Sequence, residues 1–362
     1  MSILIFLVVI IALIVVHEFG HFIVAKLSGM RVDEFGLGYP PRALTVATIG
    51  ETAYTLNWLP FGGFVKIYGE NGEAADPRAF SKRPRILQAL VLVAGITMNL
   101  LFAYVLITGA LIAGTPRALS ESELVSAQSV ELMVANVLPG TPASLAGLLP
   151  GDSIVSAQVS GAEWRAVDPK SFSAFIASSK GSEVALQIKR NGSEEIITAT
   201  PRAGVATGDL SRFALGVEVA TIGVVPLSFG SALIEGASLT WSATKMTAIG
   251  LGHFFYSILT LSADLSQVSG PVGIAGAVGA ASSQGFGDLL SIMAIISINL
   301  ALINLIPIPA LDGGRLLFVI IESVIRRPIK ASIANSVNMV GFAFLILLMV
   351  VVTAHDLFKI VG

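Results

Sequence analysis

The residues best suited to chemistry lie near the start of the chain, in the pentapeptide His17-Glu18-Phe19-Gly20-His21. On a helix, residues four apart lie on one face, so His17 and His21 can present two imidazoles to one metal ion. Glu18 would then lie beside the metal, where a carboxylate acts as the general base of a zinc hydrolase. The pentapeptide therefore predicts a Zn²⁺ site with Glu18 as the catalytic residue.

The helix that carries this pentapeptide is predicted to cross a membrane. Of the 362 residues, 54% are hydrophobic and only 13% are charged, about half of the charged fraction that soluble proteins carry. Residues 3–16 are uniformly apolar, and no positive residue precedes them as in a signal peptide. Because ionisable side chains within a membrane helix are costly, they indicate function by default.

Three further stretches are free of charged side chains and long enough to span a bilayer: 86–116, 289–311 and 331–354. Lysine and arginine are concentrated in 28–85 and 312–330, which predicts that these segments are cytoplasmic. The segment 117–288 has few basic residues near the spans and is expected outside. The net charge of −2, from 22 basic and 24 acidic residues, makes nucleic acid an unexpected partner.

The third metal ligand must be an acid, because the chain has no cysteine and its other histidines, His253 and His355, lie on the predicted outer side. At about 1.5 Å per residue, His17 lies roughly 22 Å from Ser2, in the inner third of the hydrocarbon core. Asp312 ends the third span at its cytoplasmic side and lies at a matching depth. The sequence therefore predicts Asp312 as the third ligand.

The segment before Asp312 contains Pro307 and Pro309, which must interrupt the helix of the third span. Such a break is tolerated in hydrocarbon only where the backbone lines a cavity or is covered by protein. Asn299 and Asn304 belong to the same span and could hydrogen-bond a substrate backbone or an oxyanion. Ordinary interhelical hydrogen bonding is the alternative for both.

The segments between the spans show other patterns. Residues 43–68 alternate around glycine-rich turns and predict a β-hairpin or short sheet, either dipping into the membrane face or lying on it. Residues 117–203 have the composition of a soluble domain, and their Gly-Leu-x-x-Gly-Asp run at 147–152 resembles the PDZ family, whose members bind extended peptides at a sheet edge. A small β domain used only for packing is the alternative. The run 232–261 predicts an interfacial amphipathic helix, and 269–276 a glycine-rich turn region.

Together these motifs resemble the site-2 protease family of intramembrane zinc metalloproteases, in the bacterial regulator-of-sigma-E type but with a single PDZ domain. The matching segments are H-E-F-G-H at 17–21, N-x-x-P-x-P-x-L-D-G at 304–313, G-x-x-x-N at 95–99, and 35–40, 60–66 and 269–276. The resemblance implies zinc on His17, His21 and Asp312, and water activated by Glu18. The candidate substrate-binding residues are then Asn99, Asn299, Asn304, Gly62, Gly63, Pro307 and Pro309.

The predicted fold is an α-helical polytopic membrane protein with four transmembrane helices, a membrane-associated β-hairpin and an inserted extracytoplasmic α+β PDZ domain. Its predicted parts are the first two spans with the hairpin (1–116), the PDZ domain (117–203), a linker with the interfacial helix (204–285) and the last two spans (286–362). The site is expected near the cytoplasmic side of a bacterial plasma membrane.

The expected function is hydrolysis of a peptide bond within or near the transmembrane segment of a single-span membrane protein, such as an anti-sigma factor or a remnant signal peptide. Peptide C-termini or extended segments are the expected ligands of the PDZ domain. A metal-binding scaffold that recruits partners through this domain is one alternative, and it would not need Glu18. A zinc transporter would need ligands at several depths, whereas the predicted ligands lie at one.

Overall fold

A computed structural model describes residues 2–70, 75–119, 123–124, 127–190, 192–205, 211–260, 269–327 and 329–361. The chain forms two compact units: the membrane unit, Met1–Ala113 with Ser228–Gly362, and the inserted unit, Gly114–Leu227. In chain order the elements are α1 (Ser2–Leu27), β1 (Val32–Ile49), β2 (Thr52–Ile67), α2 (Arg85–Ala113), β3 (Pro116–Ala118), β4 (Gln128–Val137), α3 (Pro142–Leu145), β5 (Ser153–Val159), β6 (Ala162–Trp164), α4 (Pro169–Ser178), β7 (Val184–Arg190), β8 (Ser193–Ala199), β9 (Val217–Val224), α5 (Phe229–Leu259), α6 (Pro271–Gln284), α7 (Phe286–Leu305), α8 (Asp312–Ile325) and α9 (Ala331–Val361).

Four helices within the described residues are long and apolar enough to cross a membrane: Ile3–Leu27, Arg85–Ala113, Phe286–Leu305 and Ser332–Phe358. They correspond to the four spans predicted from the sequence, and they fit a polytopic membrane protein. The third helix stops at Leu305, whereas the uncharged stretch continues to residue 311. The reason is local, because Pro307 and Pro309 cannot continue the helical hydrogen bonds.

Helix α2 is the centre of the membrane unit, where it packs against α1, α5, α7 and α8. Lipid is as apolar as the side chains of these helices, so close packing holds them together rather than transfer out of water. The contact between α1 and α2 depends on Gly20, since a Cβ atom there would lie 2.5 Å from the carbonyl oxygen of Ala94. The two backbones therefore touch one turn after His17.

The predicted hairpin is formed by β1 and β2, and it begins at Val32, earlier than residue 43. Residues 42–49 of β1 pair with 52–57 of β2. Residues 34–37 of β1 lie between two parts of β2, pairing with 53–56 on one side and with 63–66 on the other. The residues thus form four short runs side by side, and the run 63–67 lies at one edge. Gly38, with φ of +79°, allows β1 to change direction between its two parts.

Two helices occupy the region before the third span. The run 232–261, predicted as an interfacial helix, coincides with α5 as far as Leu259. Its last residue, Leu261, lies outside the described residues. The prediction of a turn region at 269–276 is wrong, because α6 begins within it, at Pro271. Pro271 suits the first turn of a helix, and the N–H of Gly273 donates to Oδ2 of Asp356 at 2.8 Å.

The inserted unit is a sheet with two short helices, and it runs beyond residue 203, where the predicted domain ends. Its strand order is β3-β9-β4-β5-β7-β8, with β6 paired to β5. β9 lies between β3 and β4, which is why the compact unit extends to Leu227. Alternating residues of the sheet and the buried face of α4 form one core, whose larger members are Leu132, Ile154, Trp164, Phe172, Ile176, Leu186 and Ile188.

The Gly-Leu-x-x-Gly-Asp run forms the turn before β5. Gly147 and Gly151 have φ of +82° and +95°, conformations that favour glycine. Asp152 is buried and accepts two hydrogen bonds from the guanidinium of Arg190, both at 2.7 Å. The same guanidinium donates to the carbonyl of Gly147 at 2.8 Å. These hydrogen bonds therefore close the turn and connect it to β7 through Arg190.

Candidate active site

The two histidines of the pentapeptide lie on one face of α1, as their spacing predicts, and both are buried. Their rings meet edge to face with centroids 4.7 Å apart, and their Nε2 atoms are separated by 3.1 Å. Helical geometry brings the rings together, and the packing of α2 against them removes them from lipid. Two nitrogen lone pairs can therefore be directed to one point.

Asp312 completes a group of three possible metal ligands. Its Oδ2 atom lies 2.9 Å from Nε2 of His17 and 3.2 Å from Nε2 of His21. The ligand atoms of all three residues lie within 4.8 Å of one another. Two imidazoles and one carboxylate form a donor set typical of catalytic zinc, which keeps its fourth position for water or substrate. The side chains present therefore fit a zinc ion.

The broken helix delivers Asp312 to the histidines. After α7 ends, residues 306–311 fold back so that α8 begins at Asp312. A Cβ atom on Gly313 would lie 2.3 Å from the carbonyl oxygen of Leu305, and one on Gly314 would lie 2.3 Å from that of Ile308. The paired glycines after the aspartate are thus required by the close approach of the loop to the start of α8.

Helix α2 supplies the surface on which the histidine rings rest. The carbonyl of Val91 accepts a hydrogen bond from Nδ1 of His21 at 2.7 Å, which leaves Nε2 directed to Asp312. On the same face, Asn99 places Nδ2 3.3 Å from Nδ1 of His17. Between them, a Cβ atom on Gly95 would lie only 2.4 Å from Nε2 of His21.

Glu18 is connected to the hairpin. Its Oε2 atom accepts a hydrogen bond from the backbone N–H of Val65 at 3.0 Å. Because Val65 lies in the edge run 63–67, this N–H points away from β1 and toward α1. Gly63 lies in the same run and is buried, and a Cβ atom there would lie 3.1 Å from the carbonyl oxygen of Gly36 and 3.9 Å from Cγ of Glu18.

The remaining candidate substrate-binding residues are distributed around this group. Gly62 is buried, and a Cβ atom there would lie 3.2 Å from Cδ1 of Ile14 on α1. Asn304 is half-buried at the end of α7, and Pro307 and Pro309 lie in the loop that leads to Asp312. Asn299 donates from Nδ2 to the carbonyl of Ile295 on its own helix at 2.9 Å. Asn99 is fully buried behind His17.

Sequence reasoning missed residues that hold the ligands in place. The carbonyl of Val91 contacts the ring of His21 from α2. Gly95 belongs to the G-x-x-x-N segment noted in the sequence, which gave it no role, and it leaves the space that both rings occupy. Arg315 forms an ion pair with Glu70 just after the hairpin. Asn338 of α9 accepts a hydrogen bond from the N–H of Ala310 at 3.2 Å. Neither of these two contacts has a signature in the sequence.

Similarity to known proteins runs along nearly the whole chain. The profile of peptidase family M50 matches residues 5–348. A Clostridium perfringens (strain 13 / Type A) protein, provisionally named a zinc metalloprotease, is 37% identical over 347 residues, 96% of this chain and 95% of the relative. The protein named zinc metalloprotease RasP from Geobacillus kaustophilus (strain HTA426) is 29% identical over 433 residues, 99% of this chain and 98% of the relative.

Proposed function

The chain belongs to peptidase family M50, and on this premise we propose that His17, His21 and Asp312 hold its zinc ion while Glu18 serves as general base. The chain is an intramembrane zinc metalloprotease, which hydrolyses peptide bonds within or near the transmembrane segments of membrane proteins. The non-proteolytic scaffold considered from the sequence is not favoured. The relatives are named zinc metalloproteases, and this chain matches them over nearly their full length.

One observation carries the assignment of residues, namely the convergence of the ligand atoms of His17, His21 and Asp312 within 4.8 Å. Zinc bound by such a set lowers the pKa of bound water and polarises a scissile carbonyl. Glu18 follows His17 directly on α1, and its Oε2 is held by the N–H of Val65 at 3.0 Å. It can therefore take the proton of the attacking water and return it to the leaving amine.

The hairpin is proposed to present the substrate backbone to this site. A helical substrate must unwind before attack because its carbonyls are committed to internal hydrogen bonds. The edge run 63–67 has no strand partner on its outer side within the described residues, and it faces Glu18 through Val65. An unwound segment that takes the place of Glu18 at the N–H of Val65 can pair with this edge by β-augmentation. Asn304, Pro307 and Pro309 line the approach from the other side in this proposal, with Asn299 further along α7.

The inserted unit is proposed to be a PDZ domain that binds a peptide C-terminus or extended segment. A cavity of about 410 Å³ lies between α4 and β9, lined by Phe172 and Ile176 from the helix and by Val217 and Val219 from the strand. On this side of β9, β3 pairs with residues 222–224 and the N–H of Leu119 donates to the carbonyl of Thr221 at 2.9 Å, so the edge before Thr221 is open among the described residues. An open edge beside an apolar helix face suits strand addition.

The sidedness of the chain is also a proposal. The basic residues in 28–85 and 312–330 support a cytoplasmic location for the hairpin and α8. The inserted unit would then be extracytoplasmic and the site near the cytoplasmic face of a bacterial plasma membrane. The hairpin exposes apolar side chains that suit contact with lipid: Leu44, Val46, Ile49, Trp58 and Leu59. Single-span membrane proteins, such as an anti-sigma factor or a remnant signal peptide, are the proposed substrates.

Cleavage of a model single-span substrate in liposomes tests the role of Glu18. We expect Glu18→Gln to lower the cleavage rate by about 10²- to 10⁴-fold, because proton transfer contributes that much, while bound zinc stays at one ion per chain. Glu51→Gln is the matched control, since Glu51 is an exposed acid that pairs with Arg78 outside the site. Equal cleavage by native and Glu18→Gln chains would refute the assignment.

A further inference from the structure

We propose that Asn99 is a positioning residue that holds the ring of His17 in the tautomer able to bind zinc, an inference that rests on the proposed zinc site. Asn99 is 0% exposed on α2, and its Nδ2 atom lies 3.3 Å from Nδ1 of His17. A substrate cannot reach a side chain so enclosed without moving its neighbours. Its position therefore suits an action through His17 better than the substrate contact expected from the sequence.

The two nitrogens of His17 face different partners. Nε2 points to Oδ2 of Asp312 at 2.9 Å and to Nε2 of His21 at 3.1 Å, so it is the nitrogen available to a metal. A neutral imidazole carries one N–H, and a lone pair on Nε2 requires that this hydrogen be on Nδ1. Nδ1 then needs a hydrogen-bond acceptor, and Asn99 is the residue it faces.

The amide of Asn99 can supply that acceptor. Its Oδ1 atom is buried and makes no hydrogen bond with any residue in the described part of the chain. A half turn of the amide about its Cβ–Cγ bond exchanges Oδ1 and Nδ2, so that Oδ1 accepts from the N–H at Nδ1. In the orientation seen here, Nδ2 donates to Nδ1 while Nε2 donates to Asp312. The side-chain amide has both a donor and an acceptor, and with Oδ1 turned to the ring it favours the tautomer of His17 that carries its hydrogen on Nδ1 and leaves Nε2 for zinc.

Asn99 is itself held in place by its neighbours. The main-chain carbonyl oxygen of Asn99 accepts a hydrogen bond from Oγ of Ser297 on α7 at 2.8 Å, and Ser297 is fully buried. His21 has the corresponding support from the backbone, since its Nδ1 donates to the carbonyl of Val91. The two histidines therefore differ. A substitution can remove the partner of Nδ1 only for His17.

The test is the zinc affinity of the purified full-length chain in detergent, measured by competition with a chelator of known affinity. Loss of such an outer partner lowers metal affinity about 10- to 100-fold, so we expect this decrease for Asn99→Leu, which keeps the branching of the side chain but has no acceptor. Asn99→Asp should bind zinc close to the native value, since a carboxylate accepts the same hydrogen bond. Thr97→Val is the matched control, because Thr97 is exposed and its Oγ1 donates to the carbonyl of Val93 on its own helix.

Two results would overturn the proposal: near-native affinity in Asn99→Leu, or an equal loss in Asn99→Asp, which would indicate packing rather than hydrogen bonding. Helical circular dichroism of each variant reports folding, and Asn99→Ala replaces Asn99→Leu if the larger apolar side chain prevents folding. The double variant His17→Ala, His21→Ala separates the two proposals. If it retains zinc, the proposed metal site fails; if it loses zinc while Asn99→Leu binds normally, only the role of Asn99 fails.

Discussion

At the residue scale, the site depends on a position without a side chain as much as on those that carry chemistry. A Cβ atom on Gly95 would lie 2.4 Å from Nε2 of His21 and 2.8 Å from Cε1 of His17. Carbon atoms do not approach ring atoms so closely, and both rings are enclosed by their own helix and by Asp312. Gly95 therefore allows the rings to lie across α2, one turn before Asn99.

We expect Gly95→Ala to displace the ring of His21 and to lower both zinc content and cleavage. Overpacking of a filled site costs about 1 to 3 kcal/mol in the free energy of unfolding. Zinc per chain and the midpoint of thermal unfolding, measured on the same preparation, check this prediction.

Gly109→Ala is the control on the same helix. A Cβ atom on Gly109 would meet only Cδ1 of Leu290, at 3.3 Å, and this is the flexible end of a side chain. The added methyl group should also favour the helix slightly. If both variants kept zinc equally well, the close approach at Gly95 would not matter for the metal site.

At the element scale, three elements determine where Asp312 lies. The loop before it is tied to α9, since Ala310, with φ of +77°, donates its N–H to Oδ1 of Asn338. Helix α8 is tied to the end of the hairpin through Arg315 and Glu70. A third contact joins α8 to the start of α2, because the ion pair of Arg85 with Glu322 is 2.7 Å long. The helix that carries Asp312 is thus held by contacts near its start and near its end.

In the inserted unit, the pair Asp152 and Arg190 links the turn before β5 to β7. Burial by itself would raise the pKa of Asp152, but hydrogen bonds from Arg190 and from the N–H of Leu149 hold this pKa below its ordinary value. A carboxyl whose pKa is lower in the folded chain than in the unfolded chain stabilises the fold at pH values above its ordinary pKa. This stabilisation is lost as the pH falls through the folded-state pKa.

Arg190→Met should therefore destabilise the inserted unit by about 2 kcal/mol at neutral pH, as expected for hydrogen bonds to a charged group. The difference from the native chain should shrink as the pH falls below the ordinary pKa of an aspartate and then through the lower folded-state pKa of Asp152, where the carboxyl gains its proton. Denaturant unfolding of the full chain, followed by the fluorescence of the buried Trp164, measures the free energy of unfolding of both chains. The other two tryptophans, Trp58 and Trp241, are exposed and can be replaced by Phe.

Arg165→Met is the control for this pair. Arg165 and Glu163 form an ion pair whose side chains are 67% and 47% exposed, and exposed pairs contribute little. We expect almost no change in stability at any pH. A loss in Arg190→Met that is the same at pH 7 and in acid would contradict the assigned role of Asp152.

At the scale of the whole molecule, the proposed sidedness can be tested because the chain has no cysteine. Ser193→Cys lies in the inserted unit and Thr48→Cys in the hairpin, and both native side chains are exposed. We expect a membrane-impermeant maleimide to label Ser193→Cys in intact cells and Thr48→Cys only after permeabilisation. The reverse pattern would refute the orientation inferred from the basic residues.

Local patterns were sufficient to predict much of the molecule. The placement of His17 and His21 on one helix face follows from a spacing of four residues, and four spans follow from the length of uncharged stretches. The exclusion of thiolate ligands follows from composition alone. The break before Asp312 follows from two prolines. Each of these features depends on residues a few positions apart, so the chain itself contains the information.

The tertiary structure decided what distant segments do to one another. Asp312 meets His17 across 295 positions of the chain, and depth in a bilayer predicted this meeting only in outline. The burial of Asn99, the need for Gly95 and the contact between Val65 and Glu18 depend on how α1, α2 and β2 pack. The helix α6 contains three glycines in its sequence, and it packs against α1 and α7. Packing in lipid selects among many apolar surfaces of similar composition, and the sequence pattern does not distinguish them.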